Sequence, residues 1–139
     1  MENKVKHLEM IQNIINRMAS NSFLLKGWSV VLVSALFALA AKDSNMFFIY
    51  LAYFPAVAFW ILDGYFLWQG RLYRKLYDKV RKMNDSDIDF SMDTSSVVSE
   101  VEPWRSVVFS KTLRIFYGAI VGIILIVMLI AILSSIKGG

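Results

Sequence analysis

The stretch 115–133, IFYGAIVGIILIVMLIAIL, holds nineteen residues without a single charged side chain. A hydrocarbon core of about 30 Å takes about 20 helical residues at about 1.5 Å each, so this segment reads as a helix that crosses a bilayer. Two upstream stretches meet the same length. Residues 23–41 are interrupted only by Lys26, and residues 46–68 carry no charge except Asp63. Only Lys42, Asp43, Ser44 and Asn45 separate them, so the two spans form an antiparallel hairpin. Ala38, Leu39 and Ala40 spell a small-residue cleavage pattern, but the apolar run before it is too long for a secretory leader, whose core is about 7–15 residues. The composition of the chain agrees. Of its 139 residues 57% are hydrophobic and 19% charged, with a mean hydropathy of +0.52, where a water-soluble domain holds about 45–50% and about 25%.

The cations sort sharply about these spans. Lys4, Lys6, Arg17 and Lys26 precede or begin the first, and nine more Lys and Arg lie between the second and the third, leaving only Lys42 and Lys137 on the other side. Positive charge stays with the cytoplasmic loops. The N-terminus is therefore expected in the cytoplasm and the C-terminus outside. The fold class expected is an all-α membrane protein: three transmembrane helices with a short cytosolic helical module, assembled as a homo-oligomer in the lipid bilayer.

The module has two apparent parts. In residues 1–22, Val5, Leu8, Ile11, Ile15 and Met18 recur at intervals of three and four, the spacing of an amphipathic helix. Its polar face mixes Glu2 and Glu9 with Lys4, Lys6 and Arg17, which favours packing on another helix over lying on the membrane. Ser20, Asn21 and Ser22 break the stripe and are expected to cap the span that follows. Residues 69–83 extend the second span as a basic helix with its own apolar stripe of Leu72, Tyr73, Leu76, Val80 and Met83. The two stripes can bury each other, and a core this thin is expected to be completed by neighbouring subunits.

Residues 84–114 change character. Asp85, Asp87, Asp89, Asp93, Glu100 and Glu102 appear among serines without a base until Arg105, the mark of a loop or partly disordered linker, able to fold back on the basic helix. A calcium loop is excluded because Phe90 and Ser96 stand where glycine and glutamate are required. Pro103 and Trp104 begin an interfacial segment that leads into the third span.

Candidate site residues follow from these placements. Arg71, Arg74, Lys75, Lys79, Arg81 and Lys82 interleave with Tyr73 and Tyr77. Cations between aromatics can grip phosphates and stack bases, so a nucleotide or oligonucleotide is one ligand they suit; anionic lipid headgroups are the other. Asp63 is the only acid within a span, at a depth that matches Lys26 on its hairpin neighbour. An ionisable group there invites either a structural pair or a gating and coupling role. Pro55 removes a backbone donor in mid-span and is expected to kink it. Ser34 and Ala38, and Gly118 and Gly122, offer close helix contacts, and any pore would be apolar with hydroxyls such as Ser29, Ser34 and Tyr53. No enzyme is expected: there is no cysteine, no glycine-rich phosphate loop and no metal-ligand spacing, and no cofactor or metal is called for. His7 stands alone on the polar face and is expected in solvent.

The segments NRMASNSFLLKGW, AKDSN, FWILDGYFLWQGRLYRKLYDKVRK and FSMDTSS carry a resemblance in architecture. The chain resembles the small membrane effectors of bacterial anti-phage defence systems, among them the membrane component of the Hailong system. That resemblance implies an oligomeric inner-membrane channel or pore-forming effector, gated through cytosolic helices by a nucleotide or oligonucleotide. The alternative is a non-conducting membrane anchor or assembly subunit that docks a cytosolic partner protein.

Overall fold

A computed structural model describes residues 2–138. Every regular element among them is helical: α1 (Glu2–Asp43), α2 (Met46–Leu51), α3 (Tyr53–Arg81), α4 (Trp104–Val108) and α5 (Lys111–Gly138), with short 3-10 turns at Asp85–Asp87 and Val98–Glu100. Three stretches are long and apolar enough to cross a membrane, within α1, within α2 and α3 together, and within α5.

α1 does not stop at Ser20, Asn21 and Ser22. It runs as one helix through them, which corrects the expectation of a cap there. These residues cost only a few tenths of a kcal/mol in a helix interior, and α1 packs along α3 on both sides of them, more extensively than any other pair of elements. Continuing the helix keeps both contacts; a cap would bend the chain away from one. The N-terminal stripe therefore belongs to a rod that also contains the first span, and it packs on a helix instead of lying flat.

The second span breaks at Ala52, between α2 and α3. Pro55 cannot donate to the carbonyl of Leu51, and the helical pattern is interrupted there, one turn before the proline. Pro55 itself is buried in the first turn of α3. From Tyr53 onward α3 is continuous to Arg81, with Lys82 as its C-cap.

Two cores result. In the apolar layer Val33 and Ala40 of α1, Ile49, Ala52 and Ala56 of the second span, and Leu113, Tyr117, Ile120 and Ile124 of α5 are buried together. At the charged end Ile11 and Ile15 of α1 meet Leu76 and Val80 of α3, flanked by Tyr73, Tyr77, Ile88 and Met92. The face α5 uses is not its GxxxG face: a Cβ built on Gly118 or Gly122 would meet nothing within 4 Å. Ser34, Ala35 and Ala38 are likewise exposed. The small-residue contacts expected from the sequence are not made within one chain.

Candidate functional site: a buried carboxylate joint and a basic groove

Asp63 is fully buried, and all three long helices contribute to its surroundings. From α1, Lys26 Nζ lies 2.6 Å from Oδ2 and Ser22 donates its hydroxyl to Oδ1; from α5, the Tyr117 hydroxyl donates to Oδ2 at 2.9 Å. Lys26 Nζ also reaches Ser22 Oγ at 2.8 Å and sits 5.9 Å from the centre of the Phe116 ring. A carboxylate taken out of water requires this much: an opposite charge and donors to both oxygens. The Trp60 ring stacks on Tyr117, with centroids 6.0 Å apart and planes at 10°, and its Nε1 donates to the Val108 carbonyl at 2.7 Å. The latter bond ties α4 to α3.

Gly64 allows that approach. A Cβ there would run into the Val108 side chain and stand 3.0 Å from its Cα. Trp104 adds a bond from Nε1 to the Ile61 carbonyl at 3.3 Å, so α4 lies across α3 at the level of the buried carboxylate. Exposed aromatics gather around this level, Phe23, Trp28, Trp104 and Phe109, as amphipathic rings do at a membrane boundary.

The basic residues of α3 do not form one face. Arg71, Arg74, Lys75 and Asp78 of α3 share a cavity of about 340 Å³, whose other wall is Glu100, Val101 and Glu102. Arg71 lies 3.8 Å from Glu102. Lys79 instead donates to Ser96 Oγ at 3.0 Å, Arg81 pairs with Asp78 at 3.9 Å, and Lys82 is exposed at the end of the helix. Among the described residues no carboxylate pairs with Arg74 or Lys75. Tyr73 and Tyr77, expected to stack on bases, are half-buried against the Ile11, Ile15, Leu76 and Val80 cluster. Their rings are committed to the core.

His7, expected in solvent, is not there. It is buried, with Nε2 2.8 Å from the Ser91 carbonyl. A carbonyl only accepts, so Nε2 carries the proton. Phe90, in the left-handed region at φ 58, turns the chain to present that carbonyl and sets its own ring 5.6 Å from the imidazole. With Val97 buried and Ile88 and Met92 packed on the Ile11, Ile15, Leu76 and Val80 core of the charged end, the lobe, the acidic segment is a folded cover. Its turns are local: Asp93 accepts from the amide and hydroxyl of Ser95, both at 2.9 Å, and these bonds hold its carboxyl below the usual carboxylate range.

No known family, curated protein or solved structure matches the chain. Its site is read from its own chemistry. Of the residues singled out in the sequence, the structure brings together Lys26 with Asp63, and Arg71 with Arg74 and Lys75. Pro55 lies apart from both groups. The sequence reading missed Tyr117 and Ser22 as partners of Asp63. A carboxylate buried in a span needs more donors than one lysine supplies, and Tyr117, a hydroxyl within the uncharged stretch 115–133, was the available signal. The pore hydroxyls are also redistributed: Ser29 bonds to the Lys26 carbonyl at 2.8 Å and the Tyr53 hydroxyl approaches Met128 Sδ at 3.6 Å, so both are used inside the chain and only Ser34 is exposed.

Proposed function

We propose that this protein is an oligomeric channel or pore-forming effector of the bacterial inner membrane, serving in anti-phage defence and gated by an anionic nucleotide or oligonucleotide at its cytosolic lobe. The observation that carries the reading is mechanical. α1 and α3 each pass from the basic lobe into the apolar layer without a hinge, and the Lys26–Asp63 pair clamps them where they cross. A ligand that shifts α3 against α1 in the lobe must therefore move the spans or break the clamp.

Arg71, Arg74 and Lys75 are the residues that receive the ligand; Lys79, Arg81 and Lys82 extend the positive field, which falls off over about 8 Å at physiological salt. Oligomer formation is supported by the unpartnered faces. Only 11% of the most apolar window of α5 is buried within the chain, and the open Gly118–Gly122 face lets a neighbouring backbone come close. A pore built from several copies is mainly apolar and closes by dewetting.

A non-conducting anchor that docks a cytosolic partner is the second reading, favoured by one observation. Both oxygens of Asp63 are engaged by Ser22, Lys26 and Tyr117, which suits a static joint. Ion flux from liposomes containing the purified protein separates the two. Flux that responds to added nucleotide or oligonucleotide, and is lost on charge reversal at Arg74 and Lys75, supports the channel; a sealed bilayer under every condition eliminates it.

A further inference from the structure

We infer that the groove between α1 and α3 at the foot of the lobe is a binding site for an anionic phospholipid, which shares Arg71 and Arg74 with the cavity that contains Lys75. The groove has a lower part of about 290 Å³ and an upper part of about 400 Å³. Its lining changes in one direction. Nearest the spans the walls are apolar, with Met18 and Ala19 of α1 facing Phe66 and Leu67 of α3. Above them stands Arg71, then Arg74, and beyond Arg74 the walls are Gln12, Asn16, Tyr77 and Asp78, whose carboxylate is paired with Arg81 at 3.9 Å. An amphiphile whose chain lies toward the apolar layer and whose phosphate lies one to two helical turns higher matches that order.

Charge selects the headgroup. Arg74 borders both parts of the groove and has no carboxylate partner among the described residues, and Arg71 is held by Glu102 only at 3.8 Å across an exposed contact. Two guanidinium forks on one wall fit a phosphate oxygen pair. The groove floor reaches the level marked by Trp104, because it includes Ser22, whose hydroxyl donates to Asp63. A lipid seated there touches the residue that closes the α1–α3 clamp. This inference rests on the reading of the long helices as membrane spans and needs no statement about conduction.

Native mass spectrometry of the full-length protein in detergent tests it with phosphatidylglycerol and phosphatidylcholine as probes. The expected result is retention of phosphatidylglycerol under activation that strips phosphatidylcholine. Arg71→Gln with Arg74→Gln should weaken it about thirtyfold, at about fivefold per cation. Ala19→Phe, at an exposed position that keeps every charge, should block the groove and abolish retention. Soluble glycerophosphoglycerol should not compete; if it displaces the lipid at equal concentration, the site is one for free phosphate and the inference fails. Equal retention of both lipids, or retention unchanged in both variants, overturns it. So does a change in oligomer mass with Ala19→Phe while lipid retention is unchanged, since the groove then belongs to a second copy. Liposome flux plays no part, so failure here leaves the channel reading standing, and the reverse.

Discussion

The lobe and the joint below it use the same side-chain types to opposite effect. In the lobe, ion pairs sit at the rim: Lys6 with Glu2 at 3.7 Å, Arg71 with Glu102 at 3.8 Å and Arg81 with Asp78 at 3.9 Å, all substantially exposed. Water already solvates each partner, so each pair is worth about 0–1 kcal/mol; what holds the lobe is Ile11, Ile15, Leu76 and Val80. At the joint one ion pair stands at 2.6 Å, with Asp63 wholly buried. There the carboxylate has no solvent to return to, and Lys26 is only 21% exposed. The difference teaches that the medium, and not the residue types, decides whether an ion pair is decoration or fastening.

The largest effect expected tests the joint. Asp63→Asn leaves Lys26 without its counter-charge in a poorly solvated site and should cost about 3–5 kcal/mol, read as a fall in unfolding temperature in detergent. Adding Lys26→Met to that variant removes the orphan charge and should recover part of the loss. A cost below about 1 kcal/mol would mean that water reaches the carboxylate and that the contrast with the lobe is false.

Next comes the lobe core. Ile11→Ala removes a fully buried side chain and should cost about 2–5 kcal/mol. Hydrogen exchange should rise across residues 2–15 and 72–97 while the amides around Asp63 keep their protection. Exchange rising equally in both places would show that the regions unfold as one.

Gly64→Val forces α4 off α3 at Val108 and should cost about 1–3 kcal/mol, as overpacking does, with Trp60 fluorescence reporting the change in its surroundings. His7→Ala strands the Ser91 carbonyl at a cost of about 1–3 kcal/mol; protease sensitivity of residues 84–97 should increase. The smallest effect is Arg81→Ala, within about 0.5 kcal/mol, and unfolding midpoints with and without added salt should show no measurable difference between it and the parent chain.

Much of this was legible from periodicity and length. The apolar runs gave three long helices because a bilayer-length segment needs only a count, and the stripes of residues 1–22 and 69–83 gave two faces of complementary spacing. Lys26 and Asp63 could be matched in depth because a four-residue loop leaves a hairpin little choice of register. Less visible was the continuity of α1. Ser20, Asn21 and Ser22 read locally as a helix start, and only the contacts with α3 above and below them reverse that reading. His7 failed for a related reason, and the packing of the acidic segment was only partly legible: charge density along a sequence reports what a segment can tolerate in water, and the few residues that fold this one down, Ile88, Met92 and Val97, are sparse.

The sequence by itself determined the helical class, the lengths of the spans and the clustering of positive charge, since each follows from composition summed over a window. Tertiary structure alone decided that Tyr117 and Ser22 complete the shell of Asp63, that Gly64 makes room for Val108, and that Arg71 and Arg74 line the α1 groove while Lys79 bonds to Ser96 of the cover. Those outcomes depend on which side chains meet across 41 to 54 residues of chain. The cost of a buried carboxylate is met only by all its partners at once, and no single stretch of sequence carries that sum.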